Sequence, residues 1–99
     1  MLNMEKELEI IKTAFSHFIY EEEVYFGDER ALIYFPSIGF ALFEGKDEVS
    51  QRRIEQALEG HFLKTKHLVR AIFINTEEEG YNVGYVIQDI LLEGGFIPS

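Results

Sequence analysis

Val24-Tyr25-Phe26, Gly27-Asp28-Glu29, Arg30-Ala31-Leu32-Ile33-Tyr34-Phe35, Pro36-Ser37, Ile38-Gly39-Phe40-Ala41-Leu42-Phe43: residues 24–43 decide the fold. Three apolar runs rich in aromatic and β-branched residues are separated by Gly-Asp and Pro-Ser, the residue types that make tight turns. Pro36 lacks an N–H and cannot sit in a central ladder, so it belongs between strands. The economical reading is a three-stranded antiparallel meander. Strict alternation places Ala31, Ile33 and Phe35 on one face and Leu32 and Tyr34 on the other. Ile38, Phe40 and Leu42 then oppose Gly39, Ala41 and Phe43. Both faces are apolar, so one requires the helices and the other a second cover, for which a partner chain is a candidate.

Upstream, Met4, Leu8, Ile11, Phe15 and Phe18 recur at helical spacing and predict a helix over residues 2–20. Ile10, Ala14 and Ile19 widen that stripe, while Glu5, Lys6, Glu7, Glu9 and Lys12 lie off it. Glu21-Glu22-Glu23 is a poor helix C-terminus, because that end of the dipole favours cations. The run therefore begins a loop or a strand. Downstream, Asp47 is a good N-cap for a helix ending near Gly60, with Ile54, Ala57, Leu58 and Phe62 on its buried side. Residues 67–75 read as a strand. Residues 82–93 read as a helix, with a hairpin strand over 81–87 as the alternative, because Gly84 weakens a helix and Tyr81, Val83, Tyr85 and Ile87 alternate. Gly94-Gly95, Phe96 and Pro98 look like its stop.

The sequence thus predicts one two-layer α+β domain over residues 1–99, in the order αβββαβα, with a small, mainly antiparallel sheet packed against helices. Ninety-nine residues leave no room for two independent cores, and nine Phe and five Tyr supply much of the burial.

The charge of −9 is unevenly spread. Residues 1–45 carry nine acids and three bases, 46–70 four acids and six bases, and 71–99 five acids and neither Lys nor Arg. Phosphate binding rests on Lys and Arg displacing counterions, so direct contact with nucleic acid is not expected. Neither is an anionic membrane, and no apolar run is long enough to span one. With no cysteine in the chain, thiol chemistry, disulfides and zinc-thiolate sites are absent. The acids among Met1 to Lys12 do not make a secretory signal, and a cytoplasmic location is the expectation.

Chemistry is not nominated by any local motif. His17, His61 and His67 lack metal-ligand spacing, so no metal site is predicted. Ser16, Ser37, Ser50, Thr13, Thr65 and Thr76 sit in no nucleophile elbow, and the glycines build no phosphate loop. No cofactor is predicted, and the reading leans away from an enzyme. A spatially assembled carboxylate pair is a third hypothesis, since such pairs leave no sequence mark. Lys46, Arg52, Arg53, Lys64, Lys66 and Arg70 form a basic middle, read first as solubility and pairing with the acidic ends. An anion-binding or self-association patch is its functional reading.

The leading expectation is a non-enzymatic protein-binding module, an inhibitor or nucleic-acid mimic, whose acidic surface meets a basic groove on a partner protein. Its expected contact residues are Glu21, Glu22, Glu23, Asp28 and Glu29, with Glu77, Glu78, Glu79, Asp89 and Glu93. These acids are expected at loops beside strands and on one face of the last helix. Tyr25, Phe26 and Tyr81, beside them, are candidate apolar anchors within that polar rim, or simply core. The alternative is a homodimeric structural or small-ligand-binding domain joined through an exposed apolar sheet face.

Overall fold

The computed structural model describes residues 4–45, 47–77 and 79–94. It is an α+β fold of the expected order, α1 (Met4–Ala14), β1 (Glu21–Phe26), β2 (Glu29–Phe35), β3 (Phe40–Glu44), α2 (Glu48–Thr65), β4 (Arg70–Ile74) and α3 (Val83–Glu93). Among the described residues no helix is long and apolar enough to cross a membrane. The chain forms two compact units, Ile19–Ile74 and the pair of segments Met1–Phe18 and Asn75–Ser99.

The 19–74 unit is a four-stranded sheet in the order β1-β2-β3-β4, with α2 packed on it. β1, β2 and β3 are the antiparallel meander, turning at Gly27-Asp28 and over residues 36–39. The second turn needs Gly39, whose φ is +70° and whose missing Cβ would stand 2.9 Å from the Leu68 carbonyl oxygen. β4 returns parallel to β3, with Phe40 opposite Arg70 and Glu44 opposite Ile74. A parallel return requires a crossover, and α2 supplies it.

The core under α2 holds Phe26, Ala31, Tyr34, Ala41, Phe43, Ile54, Leu58 and Val69, with Val24, Ala57, Ala71 and Phe73 packed against it. Ala31 and Tyr34 share this cluster although they are three residues apart, which strict alternation forbids. The expected face assignment fails at that point. Opposite the break, the β1–β2 ladder pairs Glu22 with Ile33 and Val24 with Ala31, and between them Glu23 takes a left-handed φ of +52°. That irregularity re-aims the strands, so Val24 and Phe26 join Tyr34 on the α2 side. Ile33, Phe35, Phe40 and Leu42 are also buried.

Asp47 caps α2 as expected, its side chain accepting from the Ser50 backbone N–H at 2.7 Å. The helix does not stop at Gly60. It continues to Thr65 and ends where Lys66 adopts φ +64° and donates its N–H to the Phe62 carbonyl. Glycine ends a helix when the chain must turn left-handed, and here Lys66 makes that turn instead.

In the second unit α1 and α3 pack together, burying Ile11, Phe15, Val86 and Ile90. α1 is shorter than the 2–20 expectation. Its end tightens into three-residue turns, Ser16 N–H to Thr13 O and Phe18 N–H to Phe15 O, while the Thr13 hydroxyl bonds back to Glu9 O. The widening residues Ile10, Ala14 and Ile19 are exposed. α3 follows the helical reading of 82–93: Asn82 caps it through the Gly84 N–H at 2.7 Å, and Gly94 closes it. The remainder of the expected stop, residues 95–99, lies outside the described residues.

Candidate functional site

The expected acidic contacts are distributed between the two units. Glu21, Glu22 and Glu23 are exposed, but on β1 itself and not in a loop. Asp28 is exposed in the β1–β2 turn, whereas Glu29 is half-buried and faces Arg53 of α2 at 3.8 Å. Glu23 holds Arg30 at 3.2 Å. Glu77, Glu79, Asp89 and Glu93 are exposed in the other unit, and Glu78 lies outside the described residues, as does Lys46 of the basic middle.

The three aromatic candidates separate cleanly. Tyr25 is 65% exposed and available. Phe26 is 3% exposed and is corrected to core: its ring meets Tyr34 at 5.3 Å, His61 at 5.0 Å and Phe43 at 6.2 Å. Tyr81 is half-buried beside Glu7, and its hydroxyl is closed to solvent.

Glu7 is a residue the sequence reading misplaced. It is 7% exposed, although it lies off the stripe of Met4, Leu8, Ile11, Phe15 and Phe18. The signal was present, because Met4, Glu7 and Ile11 are themselves three and four residues apart. Burial first, and the Glu7 charge second, push the Tyr81 hydroxyl up to about 12. Both that hydroxyl and Glu7 Oε2 are closed to solvent, and the nearness of the Glu7 carboxylate is the third cause of the rise. A cavity of about 210 Å³ lined by Glu7, Tyr81, Asn82 and Val83 adjoins them. Glu7 and Tyr81 thus form part of the wall of that cavity.

The larger concavity is in the sheet unit. A groove of about 370 Å³ runs between α2 and β4, lined by Glu55, Leu58, Glu59 and Phe62 from the helix side and Leu68, Val69, Arg70 and Ala71 from the strand side. Leu68 is 56% and Phe62 37% exposed, so apolar surface stands open at its mouth. The groove exists because β4 ends the sheet and α2 runs beside it.

Its strand wall can form further bonds. Arg70 N–H donates to Gly39 O at 2.8 Å, and Ile74 O accepts from Gly45 N–H at 2.9 Å. In a parallel ladder alternate residues face the partner strand, so Arg70, Ile72 and Ile74 turn their backbone groups to β3. Ala71 and Phe73 therefore point theirs outward.

The other edge is different. β1 shows three carboxylates in a row and the Glu23 irregularity, and both devices blunt an edge strand. β4 reads Arg-Ala-Ile-Phe-Ile and carries neither.

Among the described residues no group of three or more His, Asp or Glu is arranged to hold a metal ion. Comparison of the chain with protein-family models, with curated proteins and with solved structures found no match.

Proposed function

We propose that this chain is a non-enzymatic protein-binding module that receives a basic partner at the open β4 edge and the groove beside α2. The observation that carries the reading is the asymmetry of the sheet: one edge is blunted by charge and an irregular residue, the other is open beside an apolar groove. An open edge strand next to a groove is suited to a partner that contributes backbone bonds and side chains together. Glu55 and Glu59 on the groove wall favour a basic partner there, and the overall charge of −9 speeds its approach at low salt.

The test uses the immobilised full chain to capture a partner, followed by affinity measurement with the purified partner. Leu68→Lys, an exposed change, is expected to weaken that affinity by at least about tenfold, the range of an interface anchor. An unchanged affinity refutes the groove.

A second reading keeps the partner at β1, and Tyr25 favours it: an exposed aromatic among Glu21, Glu22 and Glu23 has the anatomy of an anchor within a polar rim. On that reading Tyr25→Ala, and not Leu68→Lys, weakens the same complex.

A further inference from the structure

We infer that the groove takes its partner as an added β-strand carrying two basic side chains two residues apart, which meet Glu55 and Glu59. The inference rests on the protein-binding reading above and names the chemistry of the partner at that site.

Three features of the groove point to this occupant. First, Ala71 and Phe73 turn their backbone N–H and C=O groups out from β4, as the bonds at Arg70 and Ile74 require. They set the register in which an extended segment pairs.

Second, the α2 wall presents two acids with a fixed repeat. Glu55 and Glu59 are four residues apart in one helix and both line the groove. Four residues of α-helix advance about 6 Å. Alternate side chains of a β-strand advance about 6.6 Å. The two spacings agree to within about 1 Å, so side chains i and i+2 of the added strand are spaced to meet Glu55 and Glu59. Acceptors on the wall select donors on the strand, so these two positions are Lys or Arg.

Third, the floor between the acids and β4 is apolar, formed by Leu58, Phe62, Val69 and Ala71. Lys and Arg lay their methylene stems on such a floor and carry the charge to its rim. Arg70 also lines the groove, but it opposes Phe40 in the register while Ala71 opposes the core residue Ala41. By alternation its side chain leaves β4 on the face away from α2, so it does not compete for the two carboxylates.

The probe is a capped heptapeptide with Lys at its third and fifth positions and valine between, titrated into the full chain while amide exchange and NMR shifts are followed. Controls of the same length carry Glu at those positions, or Lys at the third and sixth. The first peptide is expected to slow exchange at Ala71 and Phe73 by tenfold or more and to shift Glu55 and Glu59. Both controls leave these residues unmoved. Glu55→Gln with Glu59→Gln changes two exposed side chains and is expected to weaken the peptide by about tenfold, as the loss of charge-assisted bonds does. No protection of Ala71 and Phe73 at peptide concentrations on the order of millimolar overturns the inference. So does equal binding of the off-register peptide, which marks simple attraction to an acidic protein. If a captured partner depends on Leu68 while the Lys peptide does not bind, the strand inference fails and the protein-binding reading stands. If neither depends on the groove, both fail.

Discussion

Tyr25 and Phe26 are neighbours in β1, yet Tyr25 is 65% exposed while Phe26, at 3%, stands edge-on to Tyr34 with ring centroids 5.3 Å apart. Alternation along one strand divides two similar aromatics between surface and core. Phe26→Ala is expected to cost about 3–5 kcal/mol, the usual range for removing a buried aromatic. Tyr25→Ala is expected to stay within about 0.5 kcal/mol, as exposed changes do. Denaturant titration of both variants measures the difference.

The buried pair in the helical unit has a spectroscopic signature. Tyr81 is pushed up to about 12 by burial and then by the Glu7 charge, against an ordinary value of 10.0. A phenol that holds its proton more tightly when folded favours the folded state fully below pH 10.0, and that contribution is lost as pH rises through about 12. Absorbance titration should therefore find Tyr81 ionising near pH 12, above the ordinary 10.0. Glu7→Gln removes the second cause and should move that step downward. A step unmoved in the variant would detach Tyr81 from Glu7.

At the start of α2 the sign is reversed. Hydrogen bonds from the Ser50 backbone N–H, then from its side chain, hold the Asp47 carboxyl below the ordinary value of 3.8. A lowered acid stabilises the fold above that value and loses its contribution as pH falls through the folded-state value. The stability difference between the native chain and Asp47→Ala should be present near neutrality and shrink below pH 3.8. Thermal melts across that range test it.

Two glycines should respond oppositely to alanine. Gly39 has φ +70° and would place a Cβ 2.9 Å from the Leu68 carbonyl oxygen, so Gly39→Ala is expected to cost about 1–3 kcal/mol. Gly60 lies inside α2 with nothing within 4 Å of an added Cβ, so Gly60→Ala is expected to gain about 0.5–1 kcal/mol. Calorimetry of the two variants checks the opposed signs.

Element order was legible in the sequence because its signals are local: Asp47 before a helix, Gly27-Asp28 between strands, and helical spacing from Val83 to Ile90. What was illegible depends on neighbours distant in sequence. Nothing local announces that Glu23 turns left-handed and carries Phe26 into the core. A carboxylate marks the solvent side of a helix by its chemistry, yet the spacing of Glu7 from Met4 and Ile11 fits the buried stripe. Gly60 carries the local signal of a stop, and nothing local shows that Lys66 turns the chain instead. The acids are visible in the sequence, but the groove is not, since Glu55 and Glu59 meet Leu68 and Ala71 only when α2 packs on the sheet.

We propose the β4 edge as the binding face. Amide hydrogen exchange of the full chain, free and saturated with its captured partner, tests it most directly. The Ala71 and Phe73 amides are expected to slow by tenfold or more in the complex while Glu21 to Tyr25 are unchanged. Slowing confined to Glu21 to Tyr25, with Ala71 and Phe73 exchanging as in the free chain, would contradict it.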